Sequence, residues 1–219
     1  MGNKGPGQTP WQTTGPFFHF GLPWKGAADL TGDSDLGSRP DLVQPGHDYG
    51  MNAPRTGRER AMGERIEIAG HIWDNKGAPI IDGMIEIWQA NSAGRYAHPE
   101  DMRTDLAIDP HFVGFGRAAL DSGGGFRFRT VRPGRVPGPG NSLQAPHIAL
   151  GLMGPGFLKR LVTRIYFPDA ADNAEDPILG LVPEARRATL IAVKEPGADN
   201  LFRFDIRLGG PNETVFFDI

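Results

Sequence analysis

Beyond residue 64 the chain alternates apolar and polar positions with the period of a pleated strand. In Arg65–Trp73, Ile66, Ile68 and Ile72 fall on one face while Glu67, Ala69 and His71 fall on the other. Asp74, Asn75, Lys76 and Gly77 break the run with residues that tolerate tight turns. A second break at Asp82 and Gly83 leads into residues 84–90, where Ile85 and Ile87 alternate with Met84, Glu86 and Trp88. Residues 126–131 set Phe126, Phe128 and Thr130 against Arg127 and Arg129. Residues 145–153 place Ile148, Leu150 and Leu152 opposite His147, Ala149, Gly151 and Met153, and residues 161–167 form a hairpin partner across Gly154, Pro155 and Gly156. The cleanest alternation is at 201–208, with Phe202, Phe204, Ile206 and Leu208 inward and Arg203, Asp205 and Arg207 outward. Strands at 190–194 and 214–219 close the sheet, short helices are expected at 176–182 and 183–188, and Pro99–Asp101 opens one helical turn. The pattern predicts an all-β fold, a two-sheet β-sandwich core with a few short helices and an extended N-terminal arm.

That arm, residues 1–64, differs from the rest. Residues 9–25 crowd Trp11, Phe17, Phe18, Phe20 and Trp24 between prolines without periodicity. Such an aromatic load packs across its own domain or embeds in a partner chain. The chain thus divides into 1–64, arm and loops, and 65–219, sandwich. At 219 residues this is ample for one all-β domain without a staple.

Composition narrows the chemistry. No cysteine is present, which excludes disulfides, thiolate metal sites and a cysteine nucleophile. The first residues lack an apolar signal core, no window reaches the ~18 apolar residues of a span, and the expectation is a soluble, cytoplasmic protein. A net charge of −3 favours no nucleic-acid partner. No G-x-S-x-G elbow or phosphate-binding glycine loop occurs, and Gly123, Gly124 and Gly125 read as a hairpin turn.

What remains is Tyr96 with the histidines. Tyr96 and His98 share an i, i+2 spacing, and with His147 they offer one candidate set of three N/O metal ligands. The plainer reading makes Tyr96 a packing or interface tyrosine, His98 an exposed residue beside Pro99, and His147 a satisfied core or cleft histidine.

IEIWQANSAGRY (85–96), TVRPG (130–134) and APHI (145–148) resemble the core of the intradiol ring-cleavage dioxygenases. QTTGPFFHFGL (12–22), TRIYF (163–167), RRATLIA (186–192), RFDIRL (203–208) and ETVFFDI (213–219) narrow the resemblance to the alpha chains of the family's two-chain members, from about Thr9 to the last residue. Iron-bearing chains of that family use a tyrosine ending G-R-Y, a second tyrosine in P-G-x-Y-P, and both histidines of R-P-x-H-I-H. Tyr96 and His147 match two of the four ligands. Val136 stands at the second tyrosine, Ala149 at the last histidine, and Gln144 at the arginine that assists bound substrate. Val136 and Ala149 offer no lone pair, so one phenol and one imidazole are left where a hard ferric ion needs phenolates and imidazoles together.

The resemblance implies a subunit with no catalytic residue of its own and no metal of its own. Fe(III) belongs to a beta chain of the same fold, in αβ protomers that assemble further, with the active site at their interface. The implied reaction is 3,4-dihydroxybenzoate plus O2 giving 3-carboxy-cis,cis-muconate, in aromatic catabolism by the beta-ketoadipate route. The resemblance places Thr13, Gly15 and Pro16 at the mouth of the partner's pocket, a task that suits a Gly-Pro pair because it lets backbone approach a planar ligand; the plainer reading is that Gly15 and Pro16 only turn the arm. An arginine expected in the turn after the histidine strand is Pro155 here. Two rivals follow from the residues alone: a self-associating scaffold without catalysis, and a metal enzyme built on Tyr96, His98 and His147.

Overall fold

The computed structural model describes residues 13, 15, 28–34, 36, 37 and 61–218. Eleven strands occur among them: β1 Arg65–Trp73, β2 Met84–Trp88, β3 Phe115–Ala119, β4 Gly125–Val131, β5 Val136–Pro137, β6 Leu143–Gln144, β7 His147–Met153, β8 Leu161–Tyr166, β9 Val193–Lys194, β10 Leu201–Arg203 and β11 Ile206–Arg207. One sheet is built on β1, which pairs with β4 antiparallel on one edge and with β10 and β11 parallel on the other. β9 closes that side against β10. The second sheet runs β3-β2-β7-β8, antiparallel throughout, and β5 pairs with β6 as a separate ribbon.

The core lies between the sheets, where the period of two predicts it. Ile66, Ile68, Ile72, Phe126, Phe128, Phe202, Phe204 and Ile206 from the first sheet meet Ile85, Ile87, Ile148, Leu150, Leu152 and Ile165 from the second. Each fully buried aliphatic or aromatic side chain of this set contributes about 1.5–3 kcal/mol of transfer free energy.

β1 and β2 follow one another in sequence but lie in opposite sheets, so the polar stretch after Trp73 is a crossover. The same holds at 121–125. Asp121 Oδ1 accepts from Gly123 N and Gly125 N at 2.8 Å each, and this tight turn carries the chain from β3 in one sheet to β4 in the other. The expected same-sheet hairpin there is corrected to a corner between sheets. β3 escapes the alternation because its inward residues, Gly116 and Ala118 opposite Ile87 and Ile85, are too small to register as an apolar face.

The expected strand 201–208 is broken into β10 and β11. His71 N donates to Asp205 Oδ1 at 3.0 Å instead of to a backbone carbonyl, which interrupts the ladder. Residues 214–218 run as an extended strap, with one bridge between Phe217 and Val162. Val215 and Phe217 pack on a smaller cluster with Tyr166 and Leu190, and Phe216 packs on the main core. The predicted helix at 176–182 is a 3-10 turn, Leu179–Leu181, and the next is a single α-turn, α1, Glu184–Arg187. The chain at 98–102 makes turns without a helix.

The expected division at 64/65 is crossed by part of the arm region. Leu30 N donates to Arg129 O at 2.8 Å and Arg129 N to Ala28 O at 2.9 Å, extending the β4 edge. Ala28 and Leu30 are buried in the main core. Trp11, Pro16, Phe17, Phe18, Phe20 and Trp24 lie outside the described residues.

Candidate functional site

The outer face of the second sheet carries the site. Because side chains alternate across a strand, Trp88 (β2), Ala149 (β7) and Arg164 (β8) stand side by side in one rung, with His147 and Tyr166 in the next rung of β7 and β8. His147 and Ala149 therefore point the same way, as their spacing predicts.

Tyr96 reaches this face from a loop set by backbone geometry. Asn91 Oδ1 accepts from Ala93 N and Arg95 N, and Asn91 O accepts from both Gly94 N and Gly134 N. Gly94 sits at φ 82°, and a Cβ there would lie 2.0 Å from Arg135 O. Only glycine meets both conditions. The loop then delivers Tyr96 onto Trp88, rings 5.8 Å apart and 6° from parallel. Asp101 fixes the tip: Oδ2 accepts from Tyr96 N at 2.8 Å, while Arg103 pairs with both carboxylate oxygens and donates to Gly94 O at 2.7 Å. The Arg103 guanidinium holds the Asp101 carboxyl well below the usual carboxylate range. Burial pushes the Tyr96 phenol up against the opposing charges of Arg164 and Arg103, so it is neutral at physiological pH.

His147 is buried beside Tyr166, with ring centroids 5.7 Å apart. Its Nδ1 donates to Ala145 O at 2.8 Å, so the neutral ring keeps its lone pair on Nε2. Burial, helped by the Arg164 charge, lowers its pKa to about 4. Beside it, Arg164 Nη1 donates to Gln144 Oε1 at 2.6 Å and lies 3.4 Å from the Tyr166 hydroxyl. That hydroxyl donates to Asp176 Oδ1 at 3.1 Å. Asp176 also receives Ala145 N, Ile178 N and Leu179 N, tying the chain just ahead of β7 to the 3-10 turn. Gln144 Nε2 donates to Pro137 O at 2.6 Å, and Gln144 is the ladder partner of buried Val136.

In front lies a cleft of about 910 Å³ walled by Trp88, Tyr96, His98, Met102 and Pro137. His98 meets Trp88 edge-on at 6.5 Å on the exposed rim, and its Nδ1 accepts from Glu100 N at 3.3 Å.

The donor set does not fit a ferric ion. Val136 and Ala149 are hydrocarbon, which leaves Tyr96 and His147 as one phenol and one imidazole where a ferric ion needs phenolates and imidazoles together. The structure thus brings Tyr96, Val136, Gln144, His147 and Ala149 around one corner of the sheet. Arg164, Trp88, Asp101 and Asp176 escape the sequence reading; for Arg164 the signal was its place in strand 161–167, in phase with the histidine face across the hairpin.

The expected pocket contributors lie on another part of the chain. Thr13 and Gly15 are exposed. Thr13 Oγ1 accepts from Gly156 N at 2.8 Å, which sets Thr13 against the turn that holds Pro155. A Cβ on Gly15 would meet nothing within 4 Å.

A protein-family model described as Dioxygenase matches residues 43–210. The chain is 38% identical over 218 residues to the protocatechuate 3,4-dioxygenase alpha chain of Burkholderia cepacia, covering 97% of this chain and 98% of that one. It is 40% identical over 181 residues to the beta chain from the same organism, covering 80% and 76% respectively. Among solved structures, an intradiol ring-cleavage dioxygenase from Tetranychus urticae shares the fold at a TM-score of 0.57 and 16% identity, over 92% of this chain and 94% of that chain. By its family match and by near full-length relatives, the chain belongs to the dioxygenase family, in its intradiol ring-cleaving branch.

Proposed function

We propose that the chain is the non-iron-binding alpha subunit of a protocatechuate 3,4-dioxygenase, completing the interface active site of an iron-bearing beta chain. Members of the family use iron. The observation that carries the assignment of that iron to the partner is the pair Val136 and Ala149, hydrocarbon at two of the four positions where the family pattern has metal donors. Near full-length similarity to an alpha chain, alongside similarity to a beta chain, supports two related subunits pairing as αβ and assembling into a higher (αβ)n state.

In the complex, 3,4-dihydroxybenzoate and O2 give 3-carboxy-cis,cis-muconate, both oxygen atoms entering the product, with the chemistry on the beta chain. This chain supplies walls. Thr13, Gly15 and Pro16 present backbone and a small hydroxyl to the pocket mouth, and the aromatic stretch 9–25 contacts the partner, while Ala28, Leu30 and Ala61 of residues 1–64 pack in this chain's own core. The bond from Gly156 N to Thr13 Oγ1 supports that role, because it anchors Thr13 on the sandwich close to the open space at Gly15. Pro155 brings no charge to an anionic substrate. Among the described residues no helix is long and apolar enough to cross a membrane.

The test is co-expression with a family beta chain. The pair should co-purify and consume 3,4-dihydroxybenzoate with equimolar O2, and this chain alone should turn over none. A stable homo-oligomer that ignores the beta chain would instead establish the scaffold reading.

A further inference from the structure

Arg164 lies where the remains of the metal site converge. It is the ladder partner of Ala149, one rung from His147, on the face that carries both. Its Nη1 donates to Gln144 Oε1 at 2.6 Å, and Gln144 pairs in turn with Val136. The Tyr166 hydroxyl is 3.4 Å from the same nitrogen, and the Phe217 ring lies 5.7 Å from the guanidinium carbon. The His147 ring lies 5.7 Å from that of Tyr166, and Tyr96 stacks on Trp88, which is the other ladder partner of Ala149. The four positions read as the relic of a ligand set therefore lie around this one side chain, Ala149 and His147 on its own face, Val136 through Gln144 and Tyr96 through Trp88.

We infer that the site has exchanged one cation for another: the Arg164 guanidinium occupies the place of the missing metal and keeps the surrounding oxygen acceptors and aromatic rings satisfied. Guanidinium suits the role because it is planar, permanently charged and donates in several directions, and it is less costly to bury than an ammonium. Absence of donors is then only half of what keeps iron out. A like charge already sits at the centre, and two positive charges a few ångström apart repel by several kcal/mol in a partly buried site.

The inference rests on the reading of Tyr96, Val136, His147 and Ala149 as a lost ligand set, and it is separable from the subunit function. A chain that still activates a beta partner but fails the tests below loses this inference alone.

The direct experiment is chemical rescue of Arg164→Ala. Removing the side chain leaves a cation-shaped space beside Gln144 Oε1. Millimolar ethylguanidinium should raise the melting temperature of the variant by roughly 3 °C and leave the wild type unmoved. Equal effects on both proteins, or none on the variant, would overturn the inference. The second arm compares iron retention by V136Y/A149H with that by V136Y/A149H/R164Q, read as metal per chain and as a phenolate-to-iron absorption band. The triple variant should hold iron about tenfold or more tightly than the double. Equal retention would count against a blocking cation, and a triple variant that does not fold leaves the rescue experiment to decide.

Discussion

The backbone N–H of Tyr96 donates to Asp101 Oδ2 at 2.8 Å, and the same carboxylate is gripped by Arg103, which reaches back to Gly94 O. Tyr96 is thereby held by a charged clamp on its own loop, independent of any ligand. Asp101→Asn weakens the ionic half of that clamp and should cost about 1–3 kcal/mol in urea unfolding, the range for hydrogen bonds to charged groups. It should also shift the near-ultraviolet circular dichroism of the Trp88–Tyr96 stack. An unchanged spectrum and midpoint would show that the tip is held by packing alone.

Gly94 is the least replaceable residue of the site. Alanine there faces both a left-handed φ and a Cβ 2.0 Å from Arg135 O. Gly94→Ala should destabilise the fold by about 1–3 kcal/mol, the strain of an ordinary residue forced into that region, with further loss from displacing residues 134–136. Gly77, equally left-handed but with nothing near its Cβ, is the control that should lose less on the same substitution.

Asp176 joins strand, turn and tyrosine through three backbone N–H groups and the Tyr166 hydroxyl. Asp176→Ala leaves those buried donors unpartnered. The expected cost is about 3 kcal/mol or more, since each orphaned donor carries its own desolvation penalty. Thermal unfolding measures it, and a loss under 1 kcal/mol would mean water replaces the carboxylate.

Acid should unfold the protein partly through His147. Its folded pKa of about 4 lies below the ordinary 6.5, so between those values the unfolded chain binds a proton that the folded chain refuses. Stability from this group is complete above pH 6.5 and falls as pH drops toward 4, by on the order of 3 kcal/mol across the window. His147→Gln should flatten the pH dependence of the unfolding free energy in that interval. An unaltered slope would place the acid sensitivity elsewhere.

The strands that alternate large apolar residues, such as β1 and β7, were legible in the sequence because one face of each must be buried. β3 was not, because its core face is Gly116 and Ala118, which stand beside Ile87 and Ile85 in the same sheet without hydrophobic signal. Sheet membership was equally hidden. A tight turn at 121–125 reads alike whether it joins partners in one sheet or crosses to the other. At the site, Tyr96, His147 and the two missing donors were visible as residue types at fixed spacings. Arg164 was visible only as an outward position on a strand. Its meaning depends on the register that sets it opposite Ala149, and register is a property of two strands together.

In the proposed role this polypeptide holds no iron and lends its shape to a chain that does. The most direct measurement is the metal content and visible spectrum of the separately purified chain after incubation with iron and air, set beside the αβ complex treated alike. The lone chain should be colourless with no stoichiometric iron, and the complex should carry one iron per αβ pair that is lost with the beta chain. An equimolar, coloured ferric centre in the lone chain would contradict that role.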